Sequence, residues 1–507
     1  MKRSSIVRLG ITIMSMMVIL SLTIGGATAA STAKSLSTNF TLINMNKDVD
    51  AVVTVQYLKD DGSVWDALDT NESFTVPKNY GQIQIRQYFD TTMTGGRGSA
   101  VVTSSQQLGA ISQIQARGQV PTQGAYSGVN AGSDKYYVPL AASNRNTASG
   151  LANTQIVIQN VSSAAVNVSV ALINGNATTA YTKSITNLAA GVSFYYDLSE
   201  ETNLPANWLG SAVVTSTGGN ITVISNFFTG PDAMQTFNAF AIESLGPKWV
   251  VPLFFIRLSN GLSTVVTVQN LSGGTIAAGG ITLQCTKNPN NPGPTTLTVP
   301  IPASLSNTAS YSFNPVTDST LFPNAGWGGS CLVNAGSANV VAIVQMRYVN
   351  SPTGFAGAAA YEAIPQGGTD NTEIIPLAAK RLANGFASVA IIQNMDFVNG
   401  AVVKLVYTPA VECALAICDL NHDGLLNDLD KVTINNVNIP AGGSVQRNHR
   451  LATGAEAETL LPDGWQGSLV VSSNHAVTGF VQLTNISNTS GDTFMAHNAL
   501  TQYVVVP

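Results

Sequence analysis

From residue 38 onward the chain is written in short segments whose positions alternate apolar and polar, rich in Val, Ile and Thr, with Gly, Asn, Ser and Pro between them. AVVTVQY (51–57) and VNVSVAL (166–172) show the pattern. Alternation of period two sends successive side chains to opposite faces of a strand. Strands this short, divided by turn residues, predict antiparallel pairs packed as two facing sheets. Long amphipathic helical patterns are absent, so the expected fold class is all-β.

The segments also recur. TQIVIQN (154–160) returns as TVVTVQN (264–270) and SVAIIQN (388–394), and more weakly as TNFTLIN (38–44). WLGSAVVTS (208–216) returns as WGGSCLVNA (327–335) and WQGSLVVSS (465–473), with GRGSAVVTS (96–104) as the first copy. YVPLA (137–141) returns as VVPLF (250–254) and IIPLA (374–378). A fixed order of landmarks at long, loop-dependent spacing predicts four tandem antiparallel β-sandwich units, immunoglobulin-like in style, at 30–134, 135–244, 245–370 and 371–507. The expected molecule is a string of similar beads, joined by short connections such as IESLGPK and IPQGGTDNTE.

The copies do not tile cleanly. The first has no V-P-L segment before it, and QYVVVP (502–507) resembles that segment with nothing after it. The expected reading has V-P-L closing the preceding sandwich, so that every unit is complete. In the other reading it opens the following sandwich, which leaves the first unit a strand short and lets residues 502–507 fill that place in another copy, giving a head-to-tail filament.

Trp208, Trp327 and Trp465 recur at one position and are expected to seal the sandwich end as core residues rather than to stack on sugar rings. Gly210, Gly329 and Gly467 follow them and are expected to supply a backbone turn.

Charge narrows the function. Charged residues make up 10% of the chain, against roughly 25% in ordinary soluble domains. Without clustered Lys and Arg there is no footprint for nucleic acid. Lys2, Arg3 and Arg8, an apolar run and Ala27-Thr28-Ala29 form a secretory signal over residues 1–29 with an A-x-A cleavage site. Its removal takes the net charge from -5 to about -8 and leaves no transmembrane helix in the mature chain. Four cysteines suit an oxidising compartment; Cys285 with Cys331 and Cys413 with Cys418 are the candidate bridges. Asn160, Asn167 and Asn220 head N-x-S/T sequons.

In the fourth copy the turn that reads INGNATT in the second has grown into TPAVECALAICDLNHDGLLNDLDKVT. It offers oxygens from Asp419, Asn421, Asp423, the Leu425 carbonyl, Asn427 and Asp430, with Gly424 at the tight sixth position. A hard cation takes six to eight oxygens in this spacing, so Ca2+ is the expected ligand. Over these twelve residues the chain resembles the calcium loop of dockerin modules. The resemblance implies calcium and not docking to a cohesin, since one loop is present and strand sequence follows it.

No nucleophile elbow, phosphate loop, dinucleotide fingerprint or HExxH is present, and all four histidines, His422, His449, His475 and His497, fall in the last copy. They are expected on surface loops or strands, and the protein is not expected to be an enzyme. Secretion, low charge and tandem sandwiches resemble the repeat proteins of bacterial cell surfaces. That resemblance implies a structural or adhesive role, with other copies of itself or cell-surface components as partners. Binding of extracellular polysaccharide is the alternative.

Overall fold

A computed structural model describes residues 35–501 except 66–72, 91–92, 94, 118–121, 148, 231–232, 290, 352–356, 368–370, 455 and 488–490. The leader at 1–29 and the segment 502–507 lie outside the described residues.

Alternation becomes strand as expected: along Ala51–Lys59 the side chains of Ala51, Val53, Val55 and Tyr57 are buried while Val52, Thr54 and Gln56 face out. The first unit has β1 (Ser35–Asn44), β2 (Ala51–Lys59), β3 (Ser73–Val76), β4 (Gln82–Arg86), β5 (Gly98–Ser104), β6 (Leu108–Arg117) and β7 (Gln123–Ser127). They form sheets β4-β1-β6-β7 and β3-β2-β5. The second has β8 (Lys135–Ser143), β9 (Arg145–Thr147), β10 (Gly150–Asn160), β11 (Val166–Asn174), β12 (Thr179–Leu188), β13 (Ser193–Asp197), β14 (Trp208–Thr217), β15 (Ile221–Thr229), β16 (Ala233–Asn238) and β17 (Phe240–Ala241). Its sheets are β13-β10-β15-β16, with β9 on β10, and β12-β11-β14-β8-β17.

The third has β18 (Lys248–Ile256), β19 (Leu262–Asn270), β20 (Thr282–Lys287), β21 (Thr296–Pro300), β22 (Ser310–Phe313), β23 (Trp327–Asn334), β24 (Val340–Tyr348), β25 (Ala358–Glu362) and β26 (Ile364–Pro365). Its sheets are β22-β19-β24-β25 and β21-β20-β23-β18-β26. The fourth has β27 (Thr372–Ala379), β28 (Phe386–Asn394), β29 (Ala401–Pro409), β30 (Val432–Ile439), β31 (Ser444–Asn448), β32 (Gln466–Ser473), β33 (Val477–Asn485), β34 (Phe494–Asn498) and β35 (Leu500–Thr501). Its sheets are β31-β28-β33-β34 and β30-β29-β32-β27-β35. Every strand pair is antiparallel, and the fold is all-β sandwich.

The repeated residues now have reasons. Asn44, Asn160, Asn270 and Asn394 are fully buried, and each amide ties three chain segments. In the third unit, Asn270 Nδ2 donates to the carbonyls of Gly274 and Leu305 at 2.8 Å, and its Oδ1 accepts from Ser272 N at 2.9 Å. The other three asparagines make the corresponding bonds. Asn160 therefore has no free amide to carry a glycan, whereas Asn167 and Asn220 are exposed.

The hydroxyl that opens each of the last three motifs reaches across to the other sheet. Thr154, Thr264 and Ser388 accept from the N–H of Ala142, Phe255 and Ala379, in each case three residues beyond the V-P-L proline. Proline has no N–H for the ladder, and in all three units the pairing skips beside it. The hydroxyl satisfies a donor freed by that irregularity.

These bonds also place V-P-L. β8, β18 and β27 pair with β14, β23 and β32 of the sandwich that follows them in sequence. The expectation that V-P-L closes the preceding sandwich is therefore overturned. The strand lies where its unit's own hydroxyl and tryptophan strand can hold it, and among the described residues no such strand pairs with β5 in the first unit.

The glycines after tryptophan sit in strands and not in turns. A Cβ on Gly98, Gly210, Gly329 or Gly467 would fall 1.9, 2.0, 2.1 or 2.0 Å from a carbonyl oxygen of the adjacent strand. Trp208, Trp327 and Trp465 are buried, as the core reading expects. In the first unit, where glycine replaces the tryptophan, the ring of Trp65 lies against Gly96.

A string of beads is not what forms. β7 packs on β16, β16 on β25, β25 on β34, and β34 back on β7, so the four units close into a ring. Small residues allow the approach: Ala125, Ala360 and Ala496 are buried, and a Cβ on Gly124 would lie 2.4 Å from Thr236 Oγ1. At one end of this bundle the fully buried Asp492 accepts from the N–H of Gln123 (3.3 Å), Met234 (3.0 Å) and Ala358 (3.1 Å), and from that of Phe494. One carboxylate thus gathers a donor from every unit. Burial pushes its pKa well up, and the four N–H groups pull the other way. At the other end Asn238 Nδ2 donates to Ser127 O, its N–H bonds to Glu362 Oε1, and Asn498 Nδ2 donates to Glu362 O.

The serine of each G-S pair fastens neighbours around the ring. Ser211 Oγ donates to Thr308 O, Ser330 Oγ to Gly442 O and Ser468 Oγ to Tyr80 O, while Ser99 Oγ accepts from Gln159 Nε2. The Gln of Q-N braces the same junctions: Gln269 and Gln393 also reach Thr308 O and Gly442 O. Ring packing explains why β19 and β33 are buried at all nine positions and β28 at eight of nine, with no polar-out alternation.

Replacing Asn270 by Ala should lower stability by about 3 kcal/mol, because two carbonyls and one N–H lose a buried partner. Replacing the exposed Asn438 should cost less than about 0.5 kcal/mol. Urea denaturation of both variants checks the contrast.

Candidate functional site

The Trp-corner strands of the last three units each lie between two neighbours: β14 between β11 and β8, β23 between β20 and β18, β32 between β29 and β27. Their counterpart β5 pairs with β2 alone among the described residues. The consequence shows in side-chain exposure. Ala212, Cys331 and Leu469 are fully buried where Ala100 is exposed, and Val101 is 41% exposed. Natural edge strands are guarded by charge, proline or bulges. GSAVVTS has none of the first two, and its pairing with β2 runs without a register shift.

One end of this edge is already engaged. Tyr195 OH donates to Gly98 O at 2.9 Å, Gln159 holds Ser99, and the Arg97 guanidinium lies 4.4 Å above the Tyr195 ring. The open stretch is Ala100 to Ser104. The first unit's other sheet is protected differently: Glu412 Oε1 accepts from the N–H of Gln84 on β4, at 2.8 Å.

Glu412 belongs to the acidic insertion, which leans on the first unit. Asn79 Nδ2 donates to Asp428 Oδ1 at 2.8 Å, and Lys431 pairs with Asp428 at 2.9 Å. The insertion is tied by the Cys413–Cys418 disulfide and a short α1 helix, Leu415–Cys418. Cys285 and Cys331 are bridged as well, directly opposite each other on β20 and β23.

Within the loop Asp419 Oδ1 accepts from Asp423 N and its Oδ2 from Gly424 N, at 3.1 and 2.7 Å. Asp430 Oδ1 accepts from Leu420 N and Asn421 N, and its Oδ2 from Asn427 N. Gly424 has a positive φ of 85°, which glycine adopts without strain. The Asn421 and Asn427 amides both donate to Asp423 Oδ2, at 2.9 and 2.7 Å. The Asn421 bond first, then Leu425 N–H and Asn427, holds the Asp423 carboxyl below its ordinary pKa. The side chains of Asn421, Asp423 and Asn427 are thus linked to one another, and Asp419 and Asp430 close the loop through backbone bonds. Among the described residues no group of three or more His, Cys, Asp or Glu side chains is arranged to hold a metal. The donor set fits a hard cation all the same, because two of its ligands are amides and one is a carbonyl. Leu425 and Leu429 are exposed, and Leu425 N–H is held by Asp423 Oδ1 at 2.9 Å.

The histidines correct the sequence reading. His449 and His497 are buried, not superficial. His449 Nδ1 lies 2.7 Å from Ser388 Oγ and its Nε2 lies 3.0 Å from Tyr407 OH, with Lys380 Nζ donating nearby to Glu458 O and Leu461 O at 2.6 Å. Ser beside His invites a nucleophile reading, but Ser388, His449 and Tyr407 are all at 0% exposure. Ser388 holds Ala379 N as Thr154 and Thr264 hold their counterparts. His449 follows β31 as the buried Leu198 follows β13, so it fills a core position with a hydrogen-bonded ring. Aligning those two positions across repeats is the signal that finds it. His475 pairs with Asp396 at 3.0 Å, and His422 stands in the acidic loop.

No protein-family model matches the chain, and no curated protein matches it. Among solved structures it is similar to one titled "Crystal Structure of Thermotoga maritima 1070", at 13% identity over 23% of this chain and 98% of that one, with a TM-score of 0.19. A likeness so slight carries no argument, and function has to be read from this chain's own residues. The buried imidazole gives a direct check. Burial depresses the His449 pKa to about 3, so it should stay neutral far below its unfolded value of 6.5. As pH falls from 6.5 toward 3 the unfolded ring takes a proton that the folded one refuses, and this position loses about 1.4 kcal/mol per pH unit. An NMR titration midpoint near 6.5 would contradict the burial.

Proposed function

We propose that this protein is a non-enzymatic, extracellular structural component of a cell surface that associates head to tail, one copy lending a strand to the bare edge of the next. The carrying observation is β5, an uncharged seven-residue strand that lacks, among the described residues, the second neighbour that β14, β23 and β32 possess. An open edge is a template for strand addition, in which backbone hydrogen bonds give affinity and alternate side chains give specificity. Burial of the three repeat tryptophans removes the aromatic faces that sugar binding would use, so assembly is favoured over polysaccharide recognition. The two disulfides support an oxidising location.

Calcium belongs to the same reading. Asp419, Asn421, Asp423, the Leu425 carbonyl, Asn427 and Asp430 would hold it, and a stiffened insertion would brace the first unit through Asn79 and Gln84. At an affinity near 10⁻⁴ to 10⁻³ M, typical of extracellular modules, several millimolar calcium stabilises by roughly 1 to 2 kcal/mol.

Thermal unfolding with calcium and then with EDTA should show that gain, and Asp419→Ala with Asp430→Ala should abolish it. Removing residues 502–507 should leave monomers by light scattering and electron microscopy under conditions where the full chain forms filaments. Filaments of unchanged length from the shortened chain would overturn the strand-lending reading.

A further inference from the structure

We infer that the acidic insertion is a latch on the one seam of the ring that no linker crosses, between the fourth unit and the first, and that calcium in its loop tightens the latch. The latch stands on contacts to the first unit, and its control by calcium rests on the calcium reading above.

The chain itself crosses the other seams, through residues 128–134, 242–247 and 366–371. The fourth unit meets the first with the second and third units between them in sequence, so side-chain and backbone contacts have to close that seam. Its inner face is poorly matched for the task. In the fourth unit Val389 and Ile391 point away from their own core and are buried in one apolar cluster with residues of the third. The first unit has Asn39 and Thr41 at those positions, and Gln82 pairs beside them on β4. By alternation these side chains share the face of Ile43, which meets Ile374 and Val470 of the fourth unit, and not the face of Phe40 and Leu42. Thr41 and Gln82 are buried, yet Asn39 Oδ1, Thr41 Oγ1 and both polar atoms of the Gln82 amide have no hydrogen-bond partner among the described residues. Burying unpaired polar groups offsets part of what the neighbouring apolar contacts contribute.

The insertion supplies closure at the outer rim. The turn of the first unit holds Asn79 and Tyr80 at a positive φ of 63° each, which brings the Asn79 amide to Asp428 Oδ1 at 2.8 Å while the Tyr80 carbonyl accepts from Ser468 Oγ. Beyond the turn, Gln84 lies on the edge strand β4, and its N–H donates to Glu412 Oε1 at 2.8 Å. Both carboxylates are aimed by the cation loop. Asp428 stands between Asn427 and Asp430, where Asn427 Oδ1 accepts from the Leu429 N–H and Asp430 Oδ2 from the Asn427 N–H, each at 2.8 Å. Glu412 precedes Cys413, whose bridge to Cys418 ties it close to Asp419. Neither Glu412 nor Asp428 belongs to the ligand set, and both are exposed. Exposed polar contacts are weak when their partners must first be ordered, and a loop already fixed by its cation removes that cost.

Amide exchange of the full chain, followed by mass spectrometry, reads the latch on peptides covering residues 77–86. Residues 440–448, the same turn and strand at the seam between the third and fourth units, are the control. In millimolar calcium the 77–86 peptides should exchange about tenfold more slowly than in EDTA, with 440–448 unchanged. Glu412→Ala with Asp428→Ala removes both carboxylates and no ligand. This variant should keep native circular dichroism and calcium binding by isothermal titration, and should exchange 77–86 at the fast rate in either solution. Exchange as slow as in the unaltered chain would overturn the latch. Calcium that binds the full chain but leaves 77–86 unchanged would overturn its control of the seam, and absence of binding would take that control down together with the calcium reading. A chain with Asn79→Cys and Asp428→Cys, oxidised to close the same contact covalently, should keep 77–86 slow in EDTA; fast exchange there would also overturn the latch.

Discussion

Closure of the ring around four equivalent strands is the constraint on which the rest depends. β7, β16, β25 and β34 can approach one another only because alanine, glycine and threonine line their contact, and because Asp492 takes up backbone donors that this approach buries. A buried carboxylate with a donor from each unit is costly to lose, since its removal strands several N–H groups away from water. The bonds at Glu362 and Asn238 fix the other end. Each unit is thereby held at a set angle to its neighbours, and the serine of G-S finds a partner at every junction, a carbonyl at three and the Gln159 amide at the fourth.

Much of the architecture was legible in the residues. Period-two alternation gave the strands, and the recurrence of T-x-I-x-I-Q-N, W-x-G-S and V-P-L gave four copies. Both cysteine pairs are bridged. What a single sequence hid was the second job of these motifs. Gln159, Gln393 and the G-S serines look like ordinary strand polar residues, yet they bond across unit boundaries. Ile43, where the first copy departs from Gln, instead joins Met45 in an apolar contact with Ile374 and Val470 of the fourth unit. The long buried runs of β19, β28 and β33, eight or nine residues each, were the trace of two-sided covering. The place of V-P-L could not be settled from pattern, because a strand at a unit boundary fits either neighbour until its partners are known. The acidic loop was recognisable from spacing, whereas its contact with Asn79 and Gln84, more than 300 residues away, was not.

Ring closure gives the bare edge its meaning. In a string of independent beads, a missing first strand would be one defect among many exposed edges. Here the last three units complete themselves with V-P-L, and the acidic insertion covers Gln84 on β4. Among the described residues β5 is left as an ordered, uncharged edge, the acceptor in the proposed assembly, on a body whose other parts are mutually locked. Rigidity of that kind favours strand addition, because the acceptor loses little conformational entropy when the donor arrives.

Small-angle X-ray scattering of the dilute chain lacking residues 502–507 tests ring closure most directly. The closed arrangement predicts a radius of gyration of about 23 Å, the value for a compact body of this length. Four sandwiches in a row would give about 40 Å, and a result near that figure would contradict the account.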